Sequence, residues 1–151
     1  MKAETIRSSA ASRWLLLMAA LFAIAMVALS VTGGMRAWSP IPFWDMWDGY
    51  LDFFLFQQRG DIGVWWMQQN EHRIVLAKML FWMDLKWFGG MSIFLVVVNY
   101  LLVLCAALMF WRILRQLAGT NRPMAGAWSA MLFLTGWLFL WSQHENLTWA
   151  F

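Results

Sequence analysis

Three stretches of the chain run without a charged residue: positions 14–32, 91–111 and 124–142, of 19, 21 and 19 residues. At a rise of about 1.5 Å per residue, helices of that length approach or cross a hydrocarbon layer about 30 Å thick. Each stretch therefore predicts a membrane-spanning helix. The first is longer than the apolar core of a cleaved leader, usually about 7 to 15 residues, and no small-x-small cleavage site follows it, so it reads as an uncleaved anchor. Pro123 opens the third at a position suited to a helix start.

The segment between the first two stretches, residues 36–90, changes period. Asp45, Asp48 and Asp52 fall at i, i+3 and i+7 of a helix predicted over 44–58, with Trp47, Leu51, Phe54 and Leu55 on the opposite face. A second helix is predicted over 74–88, apolar and rich in Trp but broken by Lys78, Asp84 and Lys86. Those charges make it interfacial rather than spanning. The fold class is therefore an all-α membrane protein with three transmembrane helices and amphipathic interfacial helices in the first outer loop. With no internal repeat or flexible linker, residues 1–151 read as a single membrane module.

Charge sets the orientation. The N-terminal tail carries Lys2, Arg7 and Arg13 against Glu4, and residues 112–122 carry three arginines and no acid. Both belong on the cytoplasmic side. Residues 36–90, with six acids against five bases, then lie outside, and a bacterial inner membrane with a cytoplasmic N-terminus is the expected location.

Composition agrees. The chain is 62% hydrophobic and only 13% charged, about half the charged share of an ordinary soluble domain. Its 13 Trp and 12 Phe are residues that collect where hydrocarbon meets water. A net charge of +3 without a basic, aromatic-interleaved face excludes nucleic acid as a partner. Cys105 lies inside an apolar run, so no intrachain disulfide forms and the thiol reads as a small hydrophobe.

Three polar clusters are candidates for chemistry. Asp45, Asp48 and Tyr50 follow the first span, where partial desolvation raises a carboxylate's pKa towards that of a general base; the plainer alternative makes Asp45 a helix cap and leaves Asp48 and Asp52 solvated. Residues 68–74 contain Glu71, His72 and Arg73, of which Arg73 has the planar fork of donors that suits a phosphate. Glu71 and His72 are adjacent, diverge on a helix and lack a third ligand, so no metal site is assigned. Residues 144–149 form a third knot whose Glu145 and Asn146 either line the same cleft or cap a helix end. Asn146-Leu-Thr148 matches the N-glycosylation pattern, which has no weight outside a eukaryotic secretory context.

Taken in order, these pieces resemble the N-terminal part of a GT-C glycosyltransferase, the polytopic membrane class that uses polyprenyl-phosphate-linked sugars and includes protein O-mannosyltransferases and the aminoarabinose transferase of lipid A. The resemblance rests on a first span, Phe43-Trp-Asp45-Met-Trp-Asp48-Gly-Tyr50, Arg59-Gly-Asp61, Asn70-Glu-His-Arg73-Ile, an amphipathic helix ending Trp87-Phe-Gly-Gly90, and a second span. It covers nearly all of the chain after residue 13. It implies that Asp45 is the catalytic base and that Arg73, Asp48, Tyr50, Glu71 and His72 contact donor or acceptor. Arg73 stands where the class carries a Lys before two prolines, and Met46 where it carries Glu, so a carboxylate pair for a metal is not formed there. A divalent cation is the one cofactor the resemblance leaves open.

Enzymes of this class have roughly eight or more spans, so a chain of three is expected to be a fragment with little activity alone. The implied partners are the polyprenyl-phosphate sugar, membrane lipids and other membrane subunits. The competing expectation is a small non-catalytic membrane protein whose interfacial helices bind lipid head groups or a partner subunit. A channel or transporter subunit is disfavoured, because the spans hold almost no ionisable residue.

Overall fold

The computed structural model describes residues 2–41, 46–69, 72–118, 124–140, 142 and 147. Among these the chain is helical, with no strand and only an isolated backbone bridge between Gln69 and His72. The elements are α1 (Lys2–Ala37), a π-helical turn (Trp47–Asp52) running into α2 (Phe53–Gln58), a 3₁₀ turn (Ile62–Trp65), α3 (Val75–Trp87), α4 (Ile93–Ala118) and α5 (Met124–Leu138).

Among the described residues two helices are long and apolar enough to cross a membrane: Ala10–Ala37 within α1 and Ile93–Leu117 within α4. The core helix of a soluble protein meets the same length and composition but is mostly covered. Here only 17% and 6% of the two apolar windows are buried, so most of their apolar surface faces outwards. Both helices outrun the uncharged stretches that predicted them, and α4 continues past Arg112 and Arg115. Arginine is a good helix former whose long stem keeps its head in water from near a helix end.

The third predicted span is not reproduced at full length. Helix α5 has 15 residues, about 22 Å at the usual rise. Its last turn tightens from the Phe139 N–H to Thr135 carbonyl bond (3.1 Å) to an i−3 bond from Leu140 N–H to the Trp137 carbonyl (3.2 Å), a common way for a helix to end.

By its internal contacts the chain divides into two compact units: Met1–Arg36 with Tyr100–Glu145, and Ala37–Asn99 with Asn146–Phe151. In the first unit, Phe22 of α1 stacks on Phe133 of α5 at 5.3 Å. Gly136 of α5 has no room for a side chain, since a Cβ there would lie 2.6 Å from the Phe22 ring and 3.1 Å from the Ala23 Cα. The Tyr100 hydroxyl of α4 donates to the Ser30 carbonyl at 2.7 Å and accepts from the Ser30 hydroxyl at 3.2 Å. Ties of this kind join apolar helices that have no hydrophobic drive to pair in lipid.

The second unit is built on Met46, Tyr50, Phe53, Val64, Phe81 and Leu95, with Trp65, Leu80 and Trp82 among the side chains packed around them. Its ends are tied where Trp38 Nε1–H donates to the Met91 carbonyl at 2.9 Å. The aromatic helix after Asp45 is covered along one side. Met46, Tyr50 and Phe53 point inwards, whereas Trp47 and Leu55 are exposed. Positions 46, 50 and 53 fall at i, i+4 and i+7 and so make one stripe, while Asp48 and Asp52 stay exposed.

Replacing Gly136 by Ala is expected to cost about 1–3 kcal/mol by overpacking against α1. Gly126→Ala, where a Cβ meets nothing within 4 Å, leaves stability unchanged or higher. Denaturant unfolding of the two variants in detergent micelles, followed by far-UV circular dichroism, checks this.

Candidate functional site

Helix α3 carries the polar centre of the second unit. Its residues 78, 81 and 84 share one face, and that face is buried: Lys78 is 2%, Phe81 2% and Asp84 0% exposed. The sequence pattern placed Lys78 and Asp84 at an aqueous boundary, and the structure turns both inwards. Lys86, the third charge on this helix, stays outside, its Nζ 4.3 Å from the Trp82 ring centroid.

Asp84 collects donors from the π turn and from the link between α3 and α4. Its Oδ2 accepts the Tyr50 hydroxyl at 2.5 Å and the Ser92 amide at 3.1 Å. Its backbone carbonyl accepts the amides of Phe88 (2.9 Å) and Gly90 (3.1 Å). The chain reverses here through three left-handed residues, Gly89 at φ 78°, Gly90 at φ 68° and Ser92 at φ 60°. Glycine takes this region freely, whereas Ser92 is held there at a cost. Its amide on Asp84 is what that backbone conformation makes possible. Oδ1 of the same carboxylate is buried with no hydrogen-bond partner.

Tyr50 also packs edge-on against Phe81, with centroids 5.5 Å apart. Burial first, then the hydrogen bond to Asp84 and that residue's negative charge, pushes the phenol well above its ordinary value, against a smaller lowering by the Ser92 side chain.

Lys78 is held differently. Its Nζ donates to the carbonyls of Val64 at 2.8 Å and Met67 at 2.6 Å, groups that the short 3₁₀ turn leaves without helical donors. The ammonium also lies 5.7 Å from the Phe53 ring centroid, and no carboxylate among the described residues pairs with it. Burial therefore lowers its pKa, because loss of hydration penalises the charged form.

Of the residues singled out by sequence, Asp45 and Glu71 lie outside the described residues, as does the cluster at 144–146. Tyr50 is in the core, 1% exposed and committed to Asp84, rather than on an open surface. Asp48 is exposed on the π turn, and His72 and Arg73 are exposed ahead of α3. The His72 backbone exchanges bonds of 2.8 and 2.9 Å with Gln69. Among the described residues no ion pair joins His72 or Arg73 to Asp48 or Asp52, and no three of His, Cys, Asp and Glu gather as a metal-binding group. A divalent cation thus has no described site.

Lys78, Asp84 and Ser92 are the polar residues that sequence reasoning did not select. The i, i+3, i+6 spacing of Lys78, Phe81 and Asp84 was the available signal, since two charges sharing a face with a central Phe indicate a common buried side. No family model matches the chain, and neither a curated protein nor a solved structure matches it.

Tyr50→Phe leaves the Asp84 carboxylate short of a donor and is expected to lower stability by about 1–3 kcal/mol, read by denaturant unfolding in micelles. The pH dependence has two parts. A phenol raised above 10.0 stabilises the fold fully below that pH and loses its contribution as pH climbs further. An amine lowered from 10.5 does the reverse, so stability grows as pH rises from its folded pKa towards 10.5. Tyr50→Phe should abolish the loss above pH 10, and Lys78→Met the gain below 10.5, in unfolding midpoints measured from pH 7 to 12.

Proposed function

We propose that the chain is the N-terminal module of a GT-C-type glycosyltransferase of a bacterial inner membrane, with its N-terminus in the cytoplasm. It moves a sugar from a polyprenyl-phosphate donor to an acceptor on the outer face, and further spans complete the donor cavity. The supporting observation is the anchoring of the helix that follows Asp45. Met46 and Tyr50 are both buried, and Tyr50 is tied to Asp84 on α3. A fixed backbone of this kind suits a site whose polar groups must be held in place.

In this reading the Asp45 carboxylate takes the proton of the acceptor hydroxyl as that oxygen bonds to the anomeric carbon. The bond from that carbon to the lipid phosphate breaks in the same displacement. Arg73 stabilises the departing phosphate through charge-assisted hydrogen bonds. Asp48, Glu71 and His72 contact donor or acceptor, while Tyr50 holds the helix in place.

A second reading is a non-catalytic protein that binds lipid head groups or a partner subunit. It is favoured by the separateness of Arg73 and His72, which pair with none of the described acids. The two readings diverge under mutation. In membranes carrying the gene with its downstream continuation, Asp45→Asn is expected to cut sugar transfer from a polyprenyl-phosphate donor by about 10²- to 10⁴-fold. Arg73→Gln is expected to cut it roughly 10- to 100-fold. Undiminished transfer in Asp45→Asn removes the proposed base, and absence of transfer in the parent protein favours the second reading.

A further inference from the structure

Helix α3 is inverted with respect to water. Its covered side holds Lys78 and Asp84, while its outer side shows Leu76 (78% exposed), Met79 (50%) and Trp87 (61%). These three lie at i, i+3 and i+11, one stripe along the helix. In water such a helix loses twice, by exposing apolar area and by stripping two charged groups of hydration. The same arrangement is favourable where the surroundings are apolar, and there ionisable residues turn inwards to find protein partners, as Lys78 and Asp84 do.

Two observations identify those surroundings. The segment leaves α1 at Ala37 and enters α4 at Ile93, and the Trp38–Met91 hydrogen bond of 2.9 Å brings these two ends together. It is therefore tethered at one place to the two helices long enough to cross a membrane. At the C-terminal end of α3, Lys86 rests on Trp82 at 4.3 Å, and Trp82 meets Trp87 edge-on at 5.3 Å. A cation with paired indoles suits the layer where head groups meet acyl chains.

We propose that the outer face of α3 is seated in the interfacial layer of the membrane crossed by α1 and α4, with Leu76, Met79 and Trp87 against acyl chains and Lys86 among head groups. This is independent of any transferase activity. The helix lies with Lys78 and Asp84 towards its own unit, and lipid replaces a protein layer as its outer cover. Insertion to a depth of about 5–10 Å is what a helix of this kind reaches.

The test uses the full chain carrying Cys105→Ala, reconstituted in phosphatidylcholine–phosphatidylglycerol vesicles, with a nitroxide on Leu76→Cys, Met79→Cys or Trp87→Cys. Asp52→Cys and His72→Cys, both at exposed polar positions, are the references. Collision rates with oxygen, which concentrates in lipid, and with a water-soluble nickel chelate are read by power-saturation electron paramagnetic resonance. The expected result is an oxygen-to-nickel ratio several-fold higher at 76, 79 and 87 than at 52 and 72. Free access of nickel to position 76, or equal ratios at all five sites, overturns the proposal. So does shielding of 76 and 79 from both reagents, which would mean that protein, whether a second copy or another subunit, covers this face.

Discussion

The second unit depends on one carboxylate. Asp84 is fully buried and ties together the helix that follows Asp45, through the Tyr50 hydroxyl, and the turn into α4, through the Ser92 amide. Its backbone carbonyl holds the glycine reversal that ends α3. A buried charged acceptor is costly unless donors converge on it, and strong once they do. Removing the carboxylate would release two connections at once, one of them the bond that keeps Ser92 in a backbone region where L-residues are strained.

Lys78 plays the same part at the other end of α3, where it takes up two carbonyls that a short 3₁₀ turn leaves free. The helix is thus fastened by a carboxylate near one end and an amine near the other, with Phe81 packed between them. Neither charged group uses the other. Each answers backbone groups or hydroxyls that an irregular chain leaves unpaired, and this lets short helices and turns stand without a sheet or a large core.

This framing bears on function through position rather than through chemistry of its own. The exposed polar groups Asp48, Asp52, His72 and Arg73 sit on a scaffold whose interior is specified by Tyr50, Lys78 and Asp84. Small shifts in that interior would move these exposed groups. The helices α1 and α4 are long and apolar enough to cross a membrane, and within the first unit the contacts at Gly136 and at Ser30–Tyr100 keep the helices in register.

What the sequence determined by itself is the helical class, the two long apolar helices and the extent of α3, expected over 74–88 and found at Val75–Trp87. These follow from local properties, the length of uncharged runs and the absence of strong breakers. Three things were decided only by tertiary structure. Packing selected Met46, Tyr50 and Phe53 as the covered side of the first aromatic helix and left Trp47 and Leu55 exposed. An early tightening ended α5 at Leu138. Most of all, Lys78 and Asp84 went inwards. A charge's position along the chain says what it costs to bury, but whether it is buried depends on partners supplied from residues 50, 64, 67 and 92, which come together only once the chain has folded.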